Sequence, residues 1–198
     1  MKVYHMSSTI HLGDTFVVDH EKLQELSQPF TMALERSEDC LYGMILNGKY
    51  LYAVLGKFRM WEWSDYAKWA TEGVFEYIRK TEFPARCSRI RCNYYYDSLE
   101  NCQRLFEVDW GNEDEETRSK QRLYEVDLTD DAPDRFDMRI YDEAYDAMCE
   151  VDIQRVIACA RRYYSGECSD APVMEIVSDQ KAVAVKDITE FLTAKPTV

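Results

Sequence analysis

The chain has 198 residues, 46% of them apolar, which suits one domain with a full-sized core or a domain carrying a large insertion. No apolar run approaches the ~18 residues that cross a bilayer, and Met1-Lys2-Val3-Tyr4-His5 lacks the apolar stretch of a secretory leader. The net charge of −13, from 37 acidic and 24 basic residues, gains little from counterion release on nucleic acid and suits solubility or docking to a basic protein.

Residues 2–8 alternate and predict an opening strand, with Val3 and His5 on one side and Tyr4 and Met6 on the other. Residues 19–82 lack that alternation and read as largely helical. Asp19 is the expected N-cap of a first helix, Pro29 an interruption, and 32–46 and 63–80 further helices. The aromatic stripe Phe58, Trp61, Trp63, Tyr66 and Trp69 at helical spacing is expected to pack between helices. Pro84 closes this block. Residues 88–96 then predict a strand, and Asp97-Ser98-Leu99-Glu100 a capped helix over 98–106. Residues 111–118 read as an acidic loop and 122–128 as a half-exposed strand. Residues 140–164 predict helix with a break near 150–152, ending before Gly166. The last elements predict a closing hairpin, two strands around a tight turn, 173–179 and 182–185.

Seven scattered cysteines show no Cys-x-x-Cys and no zinc spacing, and His5, His11 and His20 are too far apart for a metal site. The thiols are expected to be reduced, as in a cytoplasmic protein. No Gly-rich phosphate loop occurs. The order of elements predicts α+β with a mostly antiparallel sheet. Within it, Glu175 is a lone carboxylate in an apolar strand, where an unpaired charge is expensive.

Three elements then line up: Tyr4-His5 on the opening strand, Tyr94-Tyr95-Tyr96-Asp97 leading into a capped helix, and Glu175-Ile176-Val177-Ser178-Asp179 on a late strand. This order resembles the ADP-ribosyltransferase superfamily, in particular its His–Tyr–Glu branch of diphtheria-toxin-like and poly(ADP-ribose)-polymerase-like enzymes. The resemblance covers the first strand and roughly residues 85–190. It implies a single domain over 1–198 with a split, mostly antiparallel sheet around an NAD cleft, and a helical insertion over about 19–83. It implies that His5 holds a ribose of NAD, that a tyrosine stacks near nicotinamide, and that Glu175 is catalytic. Tyr95 is the favoured tyrosine and Tyr96 the next; Ser7 is a further ribose contact or the closure of a turn. Arg89 and Arg91 are either phosphate contacts or surface charge.

Small members of this superfamily are often toxins, effectors or components of toxin–antitoxin and phage-defence systems. The resemblance therefore implies transfer of ADP-ribose from NAD to a protein or nucleic acid, with an antitoxin or regulatory protein as a further partner and no membrane. Arginine-modifying members carry an acidic residue or Gln two places before the catalytic Glu. Val173 stands there, which argues against arginine as acceptor. The chemistry suits these residue types: cleaving the nicotinamide–ribose bond builds positive charge on the sugar, which a fixed carboxylate stabilises. The alternative reading is a non-catalytic protein-interaction module of the same α+β fold. A thiol- or metal-dependent hydrolase has weaker support, since no Cys lies near a His in sequence.

Overall fold

A computed structural model of the chain describes residues 1–17, 20–55 and 62–193. Asp19, Phe58 and Trp61 lie outside the described residues. The order is β1 (Lys2–Ser7), α1 (His20–Arg36), α2 (Glu38–Leu55), α3 (Trp63–Glu82), β2 (Asn93–Tyr96), α4 (Leu99–Trp110) and α5 (Glu115–Lys120). There follow β3 (Arg122–Leu128), β4 (Asp134–Asp137), α6 (Met138–Glu150), α7 (Ile153–Ser165), β5 (Met174–Ser178), β6 (Ala182–Asp187) and α8 (Glu190–Thr193). The α+β class stands. Two compact units form: a sheet unit of 1–18, 92–135 and 173–198, and a helical unit of 19–91 and 136–172. The helices predicted after the first strand are therefore only part of the helical unit, which also takes in α6 and α7.

The strand order is β4-β5-β2-β1-β3-β6, and the pairs β1–β2, β1–β3, β2–β5 and β3–β6 are antiparallel. β5 and β6 are not a hairpin, although only three residues separate them. The Thr129 amide and hydroxyl both donate to the Lys181 carbonyl, at 3.0 and 2.8 Å, and the Ser178 hydroxyl donates to Asp130 at 2.5 Å. The connection is thus held by the end of β3, and β6 begins at Ala182 opposite Leu128. Strand alternation sends Val3, Tyr95, Tyr124, Val126, Leu128, Ile176, Ala182 and Ala184 to one face, where they form a core with Phe16. Leu123 on the other face packs with Cys102 and Phe106 of α4 and Leu192 of α8, beside Tyr4, Met6 and Tyr96. β1 runs in register with β3 along its whole length but meets β2 in register only at Tyr4–Tyr96.

Several boundaries differ from expectation for identifiable reasons. α1 continues through Pro29, whose ring stays exposed while Phe30, Thr31 and Leu34 are buried; packing outweighs the lost amide. α1 then stops at Arg36, because Ser37 caps α2 by accepting the Cys40 amide at 3.1 Å. The strand predicted over 88–96 is confined to Asn93–Tyr96, since the Arg91 amide closes a turn on the Ser88 carbonyl. Ser98, not Asp97, caps α4. The acidic loop contains α5, capped by Asp114. Cys87 and Cys92 are disulfide-bonded, so the expectation of reduced thiols fails for these two. Among the described residues no helix is long and apolar enough to cross a membrane.

In the helical unit, α1 and α3 approach closely at Gly73. A Cβ there would lie 2.7 Å from Phe30 Cβ and from the Ser27 carbonyl, and Thr31 donates its hydroxyl to the Gly73 carbonyl at 2.9 Å. The break between α6 and α7 falls at Val151, whose φ of 68° is left-handed. That conformation costs a residue with a Cβ about 1–2 kcal/mol. Replacing Val151 by Gly is therefore expected to raise stability by about 1 kcal/mol in urea unfolding; an unchanged or lowered midpoint would mean that the half-buried valine side chain outweighs the strain.

Candidate functional site

The strands that carry the three sequence motifs are neighbours, in the order β5-β2-β1. Opposed residues of antiparallel strands share a face. Tyr4 opposes Tyr96, and Tyr96 opposes Glu175, so these three side chains stand on one face. Tyr95 opposes Ile176 on the other face, which is also that of Val3, His5 and Ser7. The site residues therefore divide: His5, Ser7 and Tyr95 on one side, Glu175 and Tyr96 on the other. The β5 residues that share the His5 side are Met174, Ile176 and Ser178.

His5 is half-buried at the seam between β1 and β2. Its Nδ1 donates to the Tyr94 carbonyl at 2.7 Å, a backbone acceptor left open where the two strands part. Its ring lies edge-on to Phe16, centroids 4.8 Å apart, and tilted against Tyr95 at 5.8 Å; Phe16 and Tyr95 are 5.5 Å apart. Burial lowers the imidazole pKa below its ordinary 6.5, only partly offset by the Tyr94 carbonyl. The ring is thus neutral at pH 7, with its proton on Nδ1 and a lone pair on Nε2. Its donor is spent on the backbone, and the free nitrogen accepts.

Tyr95 is fully buried, and its hydroxyl makes no hydrogen bond of ordinary geometry. Burial raises the phenol pKa, with the Asn93 side chain opposing the rise. A buried polar group without a partner costs roughly 1–3 kcal/mol. His5 Nε2 is thus a neutral acceptor beside the aromatic cluster of Phe16 and Tyr95.

The remaining candidates have other surroundings. Ser7 accepts the amides of Thr9 and Ile10 at 3.1 and 3.2 Å, so it closes a turn. Tyr96 packs in the outer cluster beside α4. Glu175 is 2% exposed, on that same outer face. Burial raises the pKa of Cys149 and Cys159 and pushes Cys102 up to about 12, so these three thiols are kept from the thiolate a nucleophile needs. Among the described residues no group of three His, Cys, Asp or Glu is arranged to hold a metal ion.

Arg89 is neither surface charge nor a free cation: it is 7% exposed within the helical unit. Its guanidinium meets Glu72 at 3.2–3.3 Å, donates to the Tyr163 hydroxyl at 2.6 Å and lies 3.9 Å from the centre of the Tyr141 ring. Beside it, Glu76 takes a two-pronged contact from Arg79 at 2.9 Å and the Ser88 hydroxyl at 2.8 Å. Sequence reading missed this cluster, because Glu72 and Glu76 look like ordinary helix charges. Their four-residue spacing on α3 was the one available signal. Arg91 donates to Gln24 at 3.3 Å. Truncating Arg89 to Ala should cost about 3–5 kcal/mol by leaving the buried Glu72 carboxylate without its cation. Adding Glu72→Gln should recover part of that loss in chemical denaturation; no recovery would mean that lost packing, not charge, dominates.

No curated protein matches the chain. One family model matches residues 3–190, from β1 to the start of α8, and its description is protein of unknown function (DUF2441). The match takes in both units and every residue of the seam described above, and on that extent the chain belongs to the DUF2441 family.

Proposed function

We propose that the chain binds NAD at the β1/β2 seam, with the adenine-side ribose on His5 and the nicotinamide end against the Tyr95 wall, in the manner of ADP-ribosyltransferases. The observation that supports this reading is the placement, on one face, of the His5 Nε2 acceptor beside the aromatic rings of Phe16 and Tyr95. The split, mostly antiparallel sheet of the transferase type is part of the same proposal. Its support is the adjacency of the three motif strands and the single in-register contact between β1 and β2.

Transfer of ADP-ribose to a macromolecule, in a toxin, effector or phage-defence role, is the activity that goes with this reading. It asks for a carboxylate near the anomeric carbon, to balance the charge that develops as nicotinamide leaves. Glu175 is the candidate from sequence. Its place on the face away from His5 favours a second reading, in which the chain holds NAD without transferring from it.

Two measurements separate these readings: NAD affinity by calorimetry and nicotinamide release by chromatography. His5→Ala is expected to weaken NAD binding about tenfold, the size of one good hydrogen bond with its ring contacts; absence of binding by the wild type would end the proposal. Glu175→Gln is expected to leave affinity unchanged. If the wild type releases nicotinamide and the variant does not, the transferase reading holds; binding without release by both selects the second.

The pH dependence has a definite sign. Only neutral His5 accepts a hydroxyl at Nε2, and its pKa lies below 6.5. Affinity should therefore be flat from pH 8 down to about 6.5 and fall at lower pH, and His5→Ala should remove that fall. A decline already under way between pH 8 and 7 would contradict the neutral imidazole.

A further inference from the structure

The helical unit carries a surface unlike the rest of this acidic chain. Six of the thirteen large hydrophobic side chains exposed among the described residues lie on the single helix α2, so the exposure is concentrated and not the ordinary scatter of a monomer surface. Tyr42, Leu46, Tyr50 and Val54 follow one another at intervals of four, and Leu51 and Leu55 widen the stripe. Their exposures are 47%, 46%, 65%, 61%, 37% and 66%. The opposite side of α2 is occupied by Leu41, Ile45 and Gly48 against the unit's interior. Met32 of α1, 46% exposed, lies on the flank of α2, in a groove lined also with Pro29, Ala33, Arg36, Cys40 and Met44, so the apolar row belongs to α2 itself.

Charge is the second observation. Lys49 is the only charged residue between Cys40 and Leu55, in a chain with 31% charged residues. Its ammonium is turned aside, donating to the Cys149 carbonyl at 2.7 Å. Acidic groups are confined to the first turn of α2, at Glu38 and Asp39.

We infer that the stripe on α2 is a self-association face and that its occupant is a second copy of this chain. In an isologous contact each residue meets the same patch on its partner, so any uncompensated charge near the axis would face its own like. The stripe has none, although the chain carries −13 overall. A basic partner would be recognised through acidic residues, which the stripe also lacks. The exposed parts of the one coherent row, Tyr42, Leu46, Tyr50 and Val54, come to roughly 450 Å², about half the ~800 Å² per partner of a standard interface, a size that fits a weak, concentration-dependent dimer. Repeats of four along both helices allow ridges of one α2 to seat in the grooves of the other. This inference is independent of the NAD reading.

The test is the mass of the full chain in solution, by sedimentation or light scattering up to about 100 μM, where micromolar affinity gives mostly dimer. The wild type is expected at twice 23.4 kDa. Leu46→Glu and Tyr50→Arg, each placing charge on the stripe, are expected to give monomers with unchanged circular dichroism and a melting temperature that no longer rises with protein concentration. Two variants of opposite charge ensure that loss of the dimer reflects the buried face and not one added interaction. A monomeric wild type, or a dimer that survives both substitutions, overturns the inference.

Discussion

The alternation of side chains across β1, β2 and β5 is the constraint on which the rest of the sheet unit depends. Tyr4, Tyr96 and Glu175 form one row because antiparallel strands oppose residue to residue, and the next row on the same strands necessarily points the other way. A shift of one residue in β5 would bring Glu175 to the His5 side in place of Met174 or Ile176. It would also move the buried carboxylate into the apolar core that includes Val3 and Tyr95. The hydrophobic core therefore holds the register, and through the register it decides which polar groups can meet at the seam.

The seam is itself a product of incomplete pairing. Where β1 and β2 run together, their backbone groups satisfy one another; where they part, the Tyr94 carbonyl needs a donor, and His5 supplies it. One hydrogen bond thus satisfies the backbone carbonyl and fixes the tautomer of His5. The helical unit handles polar burial differently. Glu72 and Glu76 are each met by an arginine, and Glu76 also by the Ser88 hydroxyl, so both carboxylates are buried with a matching cation. Such pairs contribute little net stability, but they admit few alternative packings.

Periodicity made much of this legible in the sequence. β1, β3, α3, the break at 150–152 and the helix end at Gly166 came from alternation, helical spacing and cap residues, all of them local signals. What failed was non-local. The separation of β5 from β6 is caused by Thr129 and Asp130, about fifty residues away, and a turn-like sequence between two strands says nothing of that. The candidate site was half visible for the same reason. His5 and Tyr95 do meet, but the face on which Glu175 stands depends on a register that one strand cannot report. The Glu72–Arg89 pair was invisible because charge on an amphipathic helix is ordinarily solvated.

The His5 clamp has a consequence for what can come near it. With Nδ1 bound to a carbonyl and the ring neutral, the other ring nitrogen presents only a lone pair. Phosphate and carboxylate oxygens also present lone pairs, and are repelled by it. Under the proposed reading, a ligand with an anionic portion would approach with a neutral hydroxyl or amide leading and its charge held off, so orientation would be selected before identity.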